Sequence, residues 1–240
     1  MCAGATVPGR QIRMKNRRPI GVLMLNTRFP RLPGDIGNPA SFNYPVIYKT
    51  VERAKPDTVI TERGMAENLE TDFCRAAIEL EEQHVSIITT SCGFLSPMQQ
   101  QLSRLCNVPV VTSALVLLPL LGQIHGGIER LGIITFDSRT LGPRHFGKNK
   151  PAAVSGLQED DTLRQTISRD LPELNRLTAL QEVLHSAGQL SRQSESLRAI
   201  VLECTNLSPY KEEIRQHTGL PVYDIIDAIH WLADAQPVLL

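Results

Sequence analysis

Val85–Pro97 reads VSIITTSCGFLSP. Val85, Ile87 and Ile88 form a short apolar, β-branched run that Thr89 and Thr90 extend and Ser91-Cys92-Gly93 ends. A run of that length and type, bounded by a turn signal, describes a buried strand with a thiol at its end. The stretch recurs. Leu197–Pro209 reads LRAIVLECTNLSP, and with Cys92 laid over Cys204 the two Leu-Ser-Pro tails coincide. Val108-Pro109-Val110 and Leu220-Pro221-Val222 follow their cysteines at the same spacing. Upstream, Gly21–Thr27 and Gly132–Ser138 each run from an apolar strand into a small polar pair, one residue out of register. Self-similarity over this length is a duplicated half-chain, not a short solenoid unit.

Working outward, Ile20–Leu25, Val108–Val111, Leu131–Phe136, Ala199–Glu203 and Pro221–Tyr223 are expected strands, with Ala152–Leu157 a weaker one. Val46–Val51 fits a strand or a short helix, and Thr58–Thr61 a short strand. Leu69, Phe73, Ala76, Ala77 and Leu80 give Asn68–Gln83 a helical stripe. Pro97–Cys106 and Pro209–Thr218 are expected helices with proline in the first turn, where its missing donor costs nothing. Leu115–Ile128, interrupted by Pro119, marks the junction of the halves, and Leu174–Leu190 and Asp224–Ala233 are further helices.

Strands alternating with helices imply right-handed βαβ units and parallel sheets. The expected fold is α/β: two similar Rossmann-like (flavodoxin-like) halves related by a pseudo-twofold, with the site in the cleft between them. Residues 1–18 are expected to be a disordered basic tail, 19–115 with 223–240 the first half, and 116–222 the second. Asn26–Pro45 holds four prolines and two glycines without a helical period, and is expected to be a lid or wall over the site.

The 240 residues carry 25 lysines and arginines against 25 aspartates and glutamates, so nothing in the charge balance asks for nucleic acid or an anionic membrane. No apolar run approaches a membrane span. The N-terminal stretch lacks the apolar core of a signal peptide. Five cysteines without disulfide or zinc spacing fit free thiols in a reducing cytoplasm. No glycine-rich phosphate motif follows a strand. The expectation is a cytoplasmic protein with no metal and no cofactor.

In open α/β sheets ligands sit beyond the carboxyl ends of the strands. Asn26, Thr27, Cys92, Thr112, Ser113, Asp137, Ser138 and Cys204 all fall at such ends, and Ser91, Gly93, Thr205 and Asn206 beside the cysteines are further candidates to touch substrate. Each cysteine precedes a helix, whose amino end favours a thiolate, so each thiol is expected to act as a base near neutral pH. Two thiols on opposite walls fit two-base proton transfer at a carbon between them, one removing a proton and the other delivering one. A cysteine hydrolase or acyltransferase with Cys92 as nucleophile, or a non-catalytic small-molecule binding protein, would use the same cleft.

The paired segments Ser91-Cys92-Gly93-Phe94 and Glu203-Cys204-Thr205-Asn206-Leu207 resemble the two catalytic segments of the aspartate/glutamate racemase superfamily, over about Arg18–Leu240. That resemblance implies cofactor-independent racemisation of an amino acid or related carboxylate or hydantoin, by an isomerase in amino acid metabolism and as a homodimer. It implies Cys92 and Cys204 as the acid/base pair, and it places Asn26, Thr112, Ser113 and Thr205 where substrate is held. An isomerase, decarboxylase or hydrolase on the same scaffold is the alternative. Gly93 and Phe94 stand where glutamate racemases carry Asn-Thr, and Asn206 replaces a histidine. These departures point away from glutamate itself.

Overall fold

The computed structural model describes residues 17–237. The expected tail lies outside the described residues except at its end. There Arg17 donates to the carbonyl of Ala233 at 2.6 Å and pairs with Asp234 at 3.1 Å.

Among the described residues, eight strands make two all-parallel sheets. The first comprises β1 (Ile20–Leu25), β2 (Val46–Val51), β3 (Ile87–Thr90) and β4 (Val110–Val111), in the order β2-β1-β3-β4. The second comprises β5 (Leu131–Thr135), β6 (Ala153–Gly156), β7 (Ala199–Leu202) and β8 (Val222–Tyr223), in the order β6-β5-β7-β8. The duplication is therefore one of topology and also of register: Ile88 pairs with Val110 in the first sheet, and Ile200 with Val222 in the second.

The strands read as continuous apolar runs because helices cover both faces of each parallel sheet. Every residue of β3 and of β7 is buried. Helix Glu67–Glu82 lays Leu69, Phe73, Ala76, Ala77 and Leu80 on the first sheet, and helix Arg176–Gln193 lays Ala179, Val183, Ala187 and Leu190 on the second. Each such large side chain contributes about 1.5–3 kcal/mol on burial. Gly21 and Gly132 occupy equivalent places beneath these helices. A Cβ there would stand 3.1 Å from Leu80 and 2.8 Å from Leu190 respectively, so glycine sets the helix-to-sheet spacing in both halves. The C-terminal helix Ile225–Ala235 returns to pack against β3 and β4.

Local readings differ from the structure in two places, and the structure decides a third that the sequence leaves open. Pro56–Val59 is a helical turn, not a strand, because Pro56 at its first position presets the helical backbone and the Thr58 hydroxyl caps the turn at Lys55. Val46–Val51 is a strand, decided by its ladder to β1. Each cysteine is followed first by a 3-10 stretch, Gly93–Met98 or Thr205–Tyr210, and only then by an α-helix. The proline of each Leu-Ser-Pro tail sits inside that tight turn, where it withholds an N–H.

Candidate active site

Cys92 and Cys204 both line one cavity between the two halves. Each is 7% exposed. Leu25, Phe29, Arg31, Ile60, Phe94, Phe136, Ile167, Glu203 and Asn206 share its wall. The two cysteine segments clasp one another, the Thr205 hydroxyl donating to the Ser91 carbonyl at 3.0 Å, and β1 holds the first of them through the Leu25 N–H, which donates to the Ser91 hydroxyl at 3.0 Å. Thr90 joins its own Cys92 carbonyl to that of Thr112 across the first sheet.

Of the residues expected to hold substrate, Ser91, Gly93 and Asn206 line the cavity, whereas Asn26, Thr27, Thr112, Ser113 and Thr205 do not. Asn26 turns to the carbonyl and carboxylate of Glu52. Thr27 accepts from Arg31 at 3.0 Å. Thr112 is held by Gln99 through both its N–H and its hydroxyl. Ser113 caps the turn that follows it. A strand end brings a residue near the cleft; the local hydrogen bonds of its side chain decide whether it faces in.

Gly93 serves a packing need. A Cβ there would stand 2.1 Å from the Glu203 carbonyl oxygen and 2.3 Å from Glu203 Oε1. The close approach of the two cysteine segments thus requires glycine. Gly93→Ala is expected to force the halves apart, destabilising the fold by about 1–3 kcal/mol or more and lowering activity more steeply than stability. A Tm and activity equal to wild type would show that the halves have slack at this point.

The Asn26–Pro45 loop forms one wall. Asp170 pins it to the second half by accepting from the N–H groups of Arg28 at 2.5 Å and Phe29 at 2.9 Å. Asp35, 1% exposed, pairs with Arg31 at 3.2 Å and accepts from Gly37 N–H and Asn206 Nδ2, each at 2.6 Å. Burial raises the Asp35 carboxyl above its ordinary range, against the pull of Arg31. Asn206, so oriented, presents Oδ1 to the Cys204 thiol at 3.6 Å.

The expectation of thiols poised near neutral pH is corrected by their surroundings. Burial, then the charge of Glu203, pushes Cys92 up to about 12, against the Phe94 N–H and Arg31. The same two causes raise Cys204 well above its usual value, against the Asn206 N–H. The backbone donors are where the sequence places them, but desolvation outweighs them. Glu203 is itself 1% exposed and pushed up to about 7 by burial, although Thr135 and the Phe136 N–H donate to it. Arg31, Asp35 and Glu203 were not among the expected site residues. The signals for them were faint: an i,i+4 charge pair in an aperiodic loop, and one acidic residue ending an apolar strand.

Two duplicated parallel sheets with a cysteine-faced cleft define the class: this is the fold of the aspartate/glutamate racemase superfamily. Arylmalonate decarboxylase superposes with a TM-score of 0.57 at 14% identity, covering 90% of this chain and 91% of that one. An aspartate racemase homologue from Pyrococcus horikoshii OT3 gives 0.56 at 16% identity over 90% and 99% of the two chains. No family model matches the sequence. Among curated proteins, a dimethylsulfoniopropionate lyase from Durusdinium sp. clade D is 33% identical over 231 residues, covering 91% of this chain and 75% of that protein. Dimethylsulfoniopropionate lyase 6 from Emiliania huxleyi (strain CCMP1516) is 30% identical over 227 residues, with 86% of this chain covered but only 57% of the relative. The chain belongs to the dimethylsulfoniopropionate lyase family. The expectation of a racemase, an isomerase of amino acid metabolism, is thereby overturned: these relatives are lyases on a racemase-like scaffold.

Proposed function

We propose that this chain is a carbon–sulfur lyase that cleaves dimethylsulfoniopropionate. A thiolate of the Cys92/Cys204 pair removes a proton from the carbon next to the carboxylate. The electron pair left on that carbon forms a double bond to its neighbour, whose bond to the sulfonium sulfur breaks. Neutral dimethyl sulfide and acrylate leave, and the thiol returns its proton to water.

The chemistry explains why a racemase-like site can serve a lyase. Both reactions begin by deprotonating the carbon next to a carboxylate. A sulfonium on the neighbouring carbon is a good leaving group, so the carbanion is drained by elimination before a second acid can return a proton. The observation that carries this reading is the cavity wall itself, which sets two thiols beside the Arg31 guanidinium and the Phe29, Phe94 and Phe136 rings. In this reading Arg31 binds the carboxylate, for which a guanidinium fork is well shaped. The Phe94 and Phe136 rings receive the methylated sulfonium, a cation without hydrogen-bond donors, while Phe29 lies under the Arg31 guanidinium at the other end, its ring centroid 4.2 Å from the guanidinium carbon.

Incubation with dimethylsulfoniopropionate is expected to release dimethyl sulfide and acrylate in equal amounts, read by gas chromatography and proton NMR. Absence of both products from folded protein would overturn the reading. Since both thiols are raised, the reactive thiolate is scarce at neutral pH and grows as pH rises. The kcat/KM is therefore expected to climb by up to about tenfold per pH unit from 7 to 9. A flat profile over that range would remove the thiols from the role of base.

A further inference from the structure

Glu203 is the one carboxyl on the cavity wall among the described residues, and the elimination leaves it unused. Its two oxygens are treated differently by the fold. Oε2 accepts from the Thr135 hydroxyl at 2.6 Å and from the Phe136 N–H at 3.3 Å. Oε1 is buried and has no hydrogen-bond partner. It lies against Gly93, in space that any side chain at that position would fill, with Phe94 and Phe136 on the same wall. A buried carboxylate oxygen without a donor is costly to desolvate unless a cation reaches it. Neither nearby guanidinium donates to Oε1: Arg31 touches Asp35 and Thr27, and Arg164 pairs with Asp137 at 3.0 Å.

We propose that Glu203 Oε1 is the counter-charge for the onium head of the substrate, so that the cavity selects zwitterions carrying a methylated sulfonium or ammonium two carbons from a carboxylate. This rests on the lyase reading and adds to it the residue that tells a charged head from a neutral one. Arg31 and Glu203 then stand as opposite poles for the two ends of the substrate. A methylated onium offers no N–H, so an oxygen left free of donors, flanked by aromatic rings, suits it better than a hydrogen-bonded one. Glu203 is pushed up to about 7, so at pH 8 it is charged.

Two probes of the same shape, bound to the Cys92→Ser, Cys204→Ser background (called wild type at Glu203 below) so that neither can be eliminated, test this at pH 8 by calorimetry: 3-(trimethylammonio)propanoate, and 4,4-dimethylpentanoate with carbon in place of nitrogen. Wild type is expected to bind the cationic probe at least about tenfold more tightly than the neutral one. Glu203→Gln, which keeps the shape, is expected to bring the two within about threefold, with the affinity for the neutral probe retained as evidence of an intact fold. A wild type without preference, a glutamine variant that keeps it, or a wild type that binds neither probe overturns the proposal. If preference is seen but dimethylsulfoniopropionate yields no dimethyl sulfide, the lyase reading falls and the onium contact stands. If dimethyl sulfide is released without preference, the reverse holds.

Discussion

The double variant Cys92→Ser with Cys204→Ser is expected to release no dimethyl sulfide above background, a fall of at least about 10³-fold in kcat. Both thiols line the cavity, so the double change removes every candidate sulfur base from it. Serine keeps the volume nearly constant at two positions that are 7% exposed, so the fold should survive. The single variants carry the sharper information. Racemisation needs an acid and a base on opposite faces, and losing either thiol should stop it. Elimination needs one base, because the leaving group takes the electron pair. The two single variants are therefore expected to be unequal by about 10²-fold or more, with the better one still releasing dimethyl sulfide. Complete and equal loss in both would show that the second thiol takes part in the same step.

Arg31→Gln is expected to raise KM by about 10- to 100-fold with a smaller effect on kcat, the size of losing a charge-assisted hydrogen bond. It should also cost stability. Asp35 would remain almost fully buried with its cation gone, and stripping one partner from a buried pair destabilises by about 3–5 kcal/mol. The double variant Arg31→Gln with Asp35→Asn separates the two effects. Removing both charges should restore much of the Tm while KM stays high. If KM recovered together with stability, Arg31 would be a structural residue of the loop, and the carboxylate would have to be held elsewhere.

Much of the fold could be read from residue types and spacing. The cysteine repeat implied two like halves, and the apolar runs implied parallel sheets. The structure repeats the strand order and even the register that ties Ile88 to Val110 and Ile200 to Val222. The lid or wall expected of Asn26–Pro45 is where Phe29 and Arg31 meet the cavity. The side chains of the site were less legible. Thr112 and Asn26 sit at strand ends as expected, yet Gln99 and Glu52 hold their polar atoms away from the cavity.

The class of reaction was not legible in the cysteine pattern either, because racemases and lyases share the deprotonation that the pattern serves. The lyase reading comes from relatives matched over 91% and 86% of this chain, which are dimethylsulfoniopropionate lyases.

Local periodicity and repetition carry the strands, most of the helices, the duplication and the two thiols. The remaining features depend on how distant segments pack. That packing brought Arg31 and Asp35 from an aperiodic loop to Asn206 of the other half, turned Glu203 toward Gly93, and buried both thiols until desolvation outweighed their helix-end donors. Distance along the chain accounts for this. Asn206 reaches Asp35, and Gly93 lies against Glu203, from segments more than a hundred residues away, and no local pattern records such neighbours.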